Sequence, residues 1–510
     1  MRHRAWFWIG GAAILIAGAF LRAYHLAAKP LWLDEAYSAY AAAGGFRFLW
    51  TVVPTYEVHP PFYYSLLRLW SLVFSDSVLG LRSLGLVCGT ALIAATMLVA
   101  GQVGRGMRGR PWLMLGAGAA VAFAPSLVMM AREVRPYALM ALVYALAIGA
   151  LLRIGGEAGL RRRGLALFFV AQAVMLWTHN LGPLFGFALG LGLAVQLWGR
   201  RLARRDWAAL AAGHVLVALC YLPALLIMLD QMREWEHSTW LRWQPGLLGR
   251  RLAGLWVTTW WPAWGVAAAF AVGGLAWMLW RAERRRMGVT LAVLALVPLG
   301  LTCLISATVT PVFIPRIMSP TIVPLAVLAA VPVAVVPGWW RVLPLALALV
   351  PLGDMGQTGW RVAKSRPRQD WNRLVQWMAP RMRAGDIVLS YPNEGALPFD
   401  RAARDAGLTV DSRPVPGPVP ARLEPDSIYS TGSRGVVLLR TPRFREIARS
   451  EAVAKAPTVW LLRLGGSAYD FKDRFLTALD EADRTVVGRY RQGAIDVVVL
   501  RRDDVVRGRK

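Results

Sequence analysis

Long apolar runs separated by short polar clusters dominate the first two-thirds of the chain. The first run extends from Trp6 to about Phe20. It is long for a secretory signal peptide and no small-residue cleavage site follows it, so we interpret it as an uncleaved membrane span. With the later runs, the pattern predicts about eleven spans across a hydrocarbon core about 30 Å thick. The later runs cover residues 83–103, 111–130, 137–153, 164–178, 182–198, 207–228, 262–280, 289–308, 318–336 and 341–353.

One further apolar run, Pro61 to Phe74, is too short to cross the membrane. At about 1.5 Å per residue it falls short of the hydrocarbon core, and Arg68 lies in its middle. We expect it to lie along the interface, within a first outer loop (25–82) that contains juxtamembrane helices. This topology also places the arginine clusters between spans on the N-terminal side, as the positive-inside rule requires.

The pattern changes near residue 360. Charged residues become frequent, and apolar positions from Trp371 onward recur at helical spacing. Gln492-Gly493 has the composition of a hairpin turn. We therefore predict a helical membrane domain (1–359) and a soluble α/β or α+β domain (360–510), outside the cytoplasm because the number of spans is odd. Short β-branched runs predict strands at Asp386–Ser390, Val436–Leu439, Thr458–Leu462 and Ala494–Leu500.

Composition supports a polytopic α-helical membrane protein. The 510 residues are 56% hydrophobic and 17% charged, with a mean hydropathy of +0.43, whereas soluble domains are about 45–50% apolar and about 25% charged. This excludes a cytosolic enzyme, a disulfide-stapled secreted domain and a disordered chain. The net charge is +28, and many of the basic residues lie in short clusters between apolar runs, which indicates membrane topology and no nucleic-acid partner. The three cysteines have no metal-ligand spacing.

An acidic pair follows the first span. Asp34 and Glu35 come directly after Trp32 and Leu33, on the side predicted to be outside. Adjacent carboxylates on a helix point in different directions, so one can face a substrate while a cation or a backbone amide holds the other. The structural alternative is a solvated helix N-terminus, where the helix dipole favours acidic residues.

Other polar segments lie on the same predicted side. His59 precedes two prolines, and Tyr63 and Tyr64 follow them; an aromatic belt explains the tyrosines but not the imidazole. Charges between apolar runs each cost a few kcal/mol unless solvated or paired, and structural pairing of Glu133 with an arginine is the alternative to a functional role. The remaining candidates are Arg132, Glu133, Arg135, Tyr137, His179 and Arg316. Together these carboxylates, arginines and imidazoles supply groups that bind phosphate and deprotonate a hydroxyl.

The order of these motifs resembles the GT-C superfamily of membrane glycosyltransferases. The similarity covers about residues 1–340, and the nearest group is the bacterial branch similar to protein O-mannosyltransferases and the aminoarabinose transferase of lipid A. The resemblance implies a GT-C-like fold, a polyprenyl-phosphate sugar donor and an active site at the extracytoplasmic face. The motifs that carry it are the acidic pair, HPPFYY, AREVRPYAL and FIPRIMSPTIVPLAVLA.

The resemblance also implies roles for individual residues. Asp34 would be the catalytic carboxylate and Glu35 its partner in the acidic motif. Arg316 would meet the lipid phosphate. The remaining candidates, with roles in lining the donor cavity or lying near the active site, are His59, Tyr63, Tyr64, Arg132, Glu133, Arg135, Tyr137 and His179.

The sequence therefore predicts a glycosyltransferase in a bacterial cytoplasmic membrane. It would move one sugar from a polyprenyl phosphate to a glycan, lipid or protein acceptor, with inversion and in contact with membrane lipid. The alternatives are an oligosaccharide ligase or polymerase with a polyprenyl-pyrophosphate donor, and a non-catalytic transporter or flippase of lipid-linked sugars. No cofactor is expected; an acidic pair can hold a divalent cation, but no DxD motif occurs in this loop.

Overall fold

The chain forms two compact units in the computed structural model. The helical unit comprises Met1–Leu26, His59–Asp230 and Leu241–Ser365, and the mixed unit comprises Ala27–Val58, Gln231–Trp240 and Arg366–Lys510. The structure describes residues 2–57, 59–156, 159–238, 241–256, 260–367, 369–421, 427–429, 437–466 and 469–504.

Helices account for nearly all regular structure before residue 365. A short pair of antiparallel strands, β1 (Gly155–Gly156) and β2 (Gly159–Leu160), interrupts them. The helices are α1 (Arg2–Ala23), α2 (Leu33–Ala43), α3 (Gly45–Thr51), α4 (Pro61–Phe74), α5 (Val78–Val103), α6 (Arg110–Phe123), α7 (Pro125–Met130), α8 (Tyr137–Leu151), α9 (Arg162–Thr178), α10 (Gly182–Leu197), α11 (Arg204–Ser238), α12 (Leu248–Trp256), α13 (Trp261–Trp280), α14 (Ala282–Thr308), α15 (Ile322–Val335) and α16 (Val342–Lys364).

Six segments of the described chain are long and apolar enough to cross a membrane. The predicted span at 111–130 is two helices, because the chain turns at Ala124 ahead of Pro125. Helices α8 and α10 are apolar but have only 15 and 16 residues. The six segments are Ala5–Ala23, Val78–Val103, Arg204–Met232, Trp261–Trp280, Ala282–Thr308 and Pro315–Val335. A polytopic helical architecture is thus confirmed, and the total of eleven spans stays a prediction.

The short amphipathic run after His59 is helix α4. It begins at Pro61, where a missing N–H costs nothing, and its 14 residues span about 21 Å at 1.5 Å each. Tyr63, Tyr64 and Leu67 are buried, and the helix packs against α5 and α9. The predicted helix and its length are confirmed, whereas its position in the interface stays a prediction.

The mixed unit is built around a five-stranded sheet with the order β4-β3-β7-β9-β8. Strand β3 pairs in parallel with β4 and β7, and β9 pairs antiparallel with β7 and β8. Strands β5 and β6 form a separate antiparallel pair. The strands are β3 (Ile387–Tyr391), β4 (Asp411–Pro414), β5 (Ser427–Tyr429), β6 (Val437–Leu439), β7 (Thr458–Leu464), β8 (Arg484–Gln492) and β9 (Ile495–Arg502).

Both faces of this sheet are covered. Alternate residues of β3 enter two different cores, Leu389 with Phe444 on one face and Val388 with Trp371 on the other. The combination of helices and strands, the four predicted strands and a hairpin are therefore confirmed within the described residues, but the turn is Gly493-Ala494, one residue later than predicted, because Gln492 pairs with Ile495. The helices are α17 (Trp371–Met378), α18 (Ala396–Asp405), α19 (Thr441–Ala448), α20 (Glu451–Lys455) and α21 (Arg474–Asp480).

The division into units does not follow the predicted boundary between residues 359 and 360: the C-terminal part of the mixed unit begins at Arg366, and two earlier segments, Ala27–Val58 and Gln231–Trp240, also belong to this unit. The mixed unit includes Ala27–Val58, so α2 and α3 belong with the C-terminal sheet although more than 300 residues separate them from it in the chain. Hydrophobic runs alone do not reveal this association.

Candidate functional site

Two histidines and an arginine meet in the helical unit. An Nη of Arg135 lies 3.2 Å from Nδ1 and 3.5 Å from Nε2 of His59, and because a guanidinium only donates, a ring nitrogen of His59 accepts. The rings of His59 and His179 meet edge to face with centroids 4.6 Å apart. Nδ1 of His179 accepts the backbone N–H of Leu181 at 3.0 Å. Both imidazoles therefore have one nitrogen committed as an acceptor.

An aromatic ring and a second arginine extend this group. The ring of Tyr137 lies 6.3 Å from His59 and 6.0 Å from His179, centroid to centroid. The guanidinium carbon of Arg316 lies 5.5 Å from the centroid of Tyr137, within cation–π range. We call His59, Arg135, Tyr137, His179 and Arg316 the imidazole–arginine cluster.

Chain turns at helix ends position the members of the cluster. Arg135 and Tyr137 flank Pro136, the residue before α8, while His179 terminates α9 in an extended conformation. Arg316 lies in the 3-10 turn Pro315–Thr321, which packs against α8. All but the half-buried Arg316 are at most 5% exposed. The structure thus brings together five of the predicted site residues.

Tyr63 and Tyr64 lie side by side in the first turn of α4, two and three residues after Pro61. Their ring centroids are 5.6 Å apart, and both side chains are buried. They follow His59 closely in the chain, so the HPPFYY motif contributes both an imidazole of the cluster and two packed aromatic rings.

Arg132 takes a position that the sequence did not indicate. Its guanidinium donates to the carbonyls of Leu21, Arg22 and Tyr24 at 3.1, 2.9 and 2.8 Å. These carbonyls lie at the end of α1, where backbone acceptors have no helical partner. Arg132 therefore caps a helix, and its predicted contact with the donor stays a prediction. Glu133, half-buried, follows it in the same loop.

Two more buried arginines stabilise neighbouring helix ends. Arg22 donates to the carbonyls of Gly18, Val121 and Ala122, and Arg82 donates to that of Leu26. Sequence reasoning did not identify either residue. The available signal was an arginine inside or beside an apolar run, close to a predicted helix end whose carbonyls need donors.

The loop that carries Arg132, Glu133 and Arg135 packs closely against α5 at Gly85. A Cβ added at Gly85 would lie 2.8 Å from the carbonyl oxygen of Ala131 and 3.2 Å from that of Glu133. A larger residue at this position would displace the loop.

The acidic pair lies in the first turn of α2, in the mixed unit. Asp34 and Glu35 are 6% and 0% exposed. Oε2 of Glu35 accepts the backbone N–H of Trp32 at 3.3 Å, so a backbone amide holds one carboxylate as expected. Asp34 points elsewhere because adjacent helical residues differ by about 100°. The helix N-terminus stabilises both negative charges.

Within the described parts of the chain, no group of three or more His, Cys, Asp or Glu side chains is arranged to hold a metal ion. The question of a divalent cation therefore stays where the sequence left it. Chemically, the cluster offers two permanent cations for a phosphate, and the acidic pair offers a carboxylate for proton transfer.

No protein-family model and no curated protein sequence matches the chain, but solved structures do. ArnT from Cupriavidus metallidurans in the apo state has a TM-score of 0.64 at 15% identity, over 98% of both chains. The same protein bound to undecaprenyl phosphate gives 0.65 at 16% identity, over 97% of this chain and 98% of that one. The apo oligosaccharyltransferase of Archaeoglobus fulgidus gives 0.58 at 12% identity, over 95% and 73%.

These likenesses are to the fold. The structural neighbours are GT-C glycosyltransferases, and the match to ArnT includes the C-terminal part of the chain as well as the helices. The resemblance that the motifs indicated is thereby confirmed at the level of the fold.

Proposed function

We propose that this chain is a membrane glycosyltransferase that moves a single sugar from a polyprenyl phosphate to an acceptor outside the cytoplasmic membrane. The observation that carries the proposal is the imidazole–arginine cluster, in which Arg135 and Arg316 accompany two histidines. ArnT, whose fold the chain shares, binds undecaprenyl phosphate. Guanidinium groups are well suited to such a phosphate because they donate in a planar fork.

The reaction breaks the bond between the anomeric carbon and a phosphate oxygen. Positive charge develops on the sugar ring while negative charge grows on the departing polyprenyl phosphate. Arg135 and Arg316 would stabilise that leaving group, since charge-assisted donors act most strongly where charge develops. His59, bonded to Arg135, would orient its guanidinium.

The acceptor hydroxyl must lose a proton as it attacks. We assign this step to Asp34, with Glu35 held by the backbone at Trp32 as its structural partner. Attack from the face opposite the phosphate in one step inverts the anomeric configuration. A positioned base contributes about 10²–10⁴-fold to the rate.

The test uses the purified full-length chain and a polyprenyl-phosphate sugar labelled in the sugar. We expect release of polyprenyl phosphate and transfer of label to an acceptor from a bacterial envelope extract. A transporter or flippase would move the intact donor across a vesicle without breaking the glycosidic bond, and that result would contradict the proposal.

A second candidate is an oligosaccharide ligase with a pyrophosphate-linked donor, because the chain shares its fold with an oligosaccharyltransferase. Donors that differ only by one phosphate separate the two activities. We expect turnover with the monophosphate; turnover with the pyrophosphate alone would favour the ligase.

A further inference from the structure

Helix α2, which carries the acidic pair, is hydrogen-bonded to the C-terminal part of the mixed unit (Arg366–Lys510), called the C-terminal domain below. The backbone N–H of Leu33 donates to Oε1 of Gln369 at 3.1 Å. The hydroxyl of Tyr37 donates to Oε2 of Glu394 at 3.0 Å, and that of Tyr40 to the carbonyl of Val419 at 2.9 Å. Tyr37 and Tyr40 are spaced i, i+3 on one face, so their two side-chain bonds fix the rotation of the helix about its axis, and the backbone bond of Leu33 holds its first turn.

Each acceptor is itself fixed by the domain. Oε1 of Gln369 also accepts from the indole of Trp371 at 3.3 Å. Trp371 is completely buried in the core that contains Val388 of β3 and Trp460 of β7, and Leu33 packs against this core. A continuous set of contacts therefore runs from the sheet to the first turn of α2.

The second attachment comes from the loop after β3. Glu394 lies in the 3-10 turn Asn393–Gly395, and its side chain is only 5% exposed. The side-chain amide of Asn393 donates to the carbonyl of Gly417 at 3.0 Å, which ties this turn to the segment containing Val419. The acceptors for Tyr37 and Tyr40 thus belong to one connected region.

We infer that the C-terminal domain positions the catalytic carboxylate: Gln369 and Glu394 are positioning residues that hold α2, and hence Asp34, in the orientation that proton transfer requires. This rests on the proposed function, which assigns Asp34 as the base. Displacing a reacting group by about 1 Å can cost about 100-fold in rate, so the attachment bears directly on turnover. It also gives a role to a domain in which the sequence contains no recognisable motif.

The attachment itself is tested without an activity measurement. Tyr37→Phe keeps the buried ring and removes only the donor to Glu394. In the full-length protein, hydrogen–deuterium exchange of the α2 amides should become about 3–10-fold faster, while β3 and β7 keep their protection. Glu394→Gln retains an oxygen acceptor and should restore most of the protection lost in Glu394→Ala. Unchanged α2 exchange in Tyr37→Phe would overturn the inference.

The catalytic consequence is tested by combining variants. Tyr37→Phe should lower kcat about 10-fold with an unchanged KM for the donor, and it should have no further effect in single-turnover reactions of Asp34→Asn. Arg445→Ala, which breaks an exposed pair with Glu481 in the same domain, is the matched control and should leave kcat unchanged.

The outcomes separate the two proposals. Adding Tyr37→Phe to Asp34→Asn could slow transfer by the same factor as adding it to the wild type. In that case the hydroxyl of Tyr37 acts independently of Asp34, and the positioning role is contradicted. If Asp34→Asn itself transfers sugar at the normal rate, the proposed function of Asp34 fails, whereas faster exchange of α2 in Tyr37→Phe would still establish the attachment.

Discussion

Three buried arginines of this protein, two in the helical unit and one in the mixed unit, have different partners. In the helical unit Arg22 and Arg132 donate to backbone carbonyls. In the mixed unit Arg463, only 2% exposed, pairs with Asp470, Asp473 and Asp496, although Arg484 of the same unit donates to the carbonyls of Val453 and Ala454.

The difference follows from where the acids are. The helical unit contains seven of the 30 acidic residues, although it makes up most of the chain. Helix-end carbonyls are the acceptors that a membrane helix bundle supplies in abundance, because the last four of each helix lack intrahelical donors. A carbonyl satisfies a guanidinium without cancelling its charge, whereas a carboxylate cancels it.

The largest effect is expected from removing the arginine that carboxylates surround. Arg463→Ala leaves Asp470 and Asp496 buried without their shared cation, and breaking such a group costs about 3–5 kcal/mol. Hydrogen exchange of β7 and β9 in the full-length protein measures this loss. Arg445→Ala, which removes an exposed arginine, is the control and should change little. Equal effects of the two substitutions would contradict the comparison.

A smaller effect is expected at the carbonyl-bound arginines. Arg22→Ala removes donors from the carbonyls of Gly18, Val121 and Ala122 and should destabilise the helical unit by about 1–3 kcal/mol. Thermal unfolding in detergent measures the change. Arg22→Lys should recover only part of it, because an ammonium cannot reach all three carbonyls in a planar fork. Full recovery would show that charge alone matters.

The smallest effect concerns the pH dependence of the mixed unit. Burial alone would raise the pKa of Asp496, but hydrogen bonds from Arg489 and the charge of Arg463 outweigh it and hold that pKa below its ordinary value. Its contribution to stability is complete above the ordinary pKa of about 3.9 and disappears as pH falls through the lower, folded-state value.

The wild type should therefore be more stable than Asp496→Asn at pH 6, and the difference should shrink toward pH 3. Burial raises the pKa of Asp470, but Asp470 is present in the wild type and in Asp496→Asn alike. The difference in stability between these two proteins therefore reports on Asp496. Hydrogen exchange of β9 across this range provides the measurement, and a pH-independent difference would contradict the assignment.

Local sequence patterns predicted much of this structure. β-branched runs identified β3, β7 and β9, and the polar motifs between the apolar runs contain the residues that form the imidazole–arginine cluster. The attachment of α2 was not predictable, since the bond between Leu33 and Gln369 joins residues 336 positions apart. Arg132 was assigned to the donor because its segment resembles one that lies near the active site in the GT-C superfamily; only the fold places its guanidinium on the end of α1.

The central claim is that Asp34 is the base of a sugar transfer, and the rate of transfer by purified Asp34→Asn tests it most directly. With a labelled polyprenyl-phosphate sugar, the account predicts a rate about 10²–10⁴-fold below the wild type, while undecaprenyl phosphate still binds. Asp480→Asn, at an exposed acid of the mixed unit, should transfer normally. Near-normal transfer by Asp34→Asn would contradict the account.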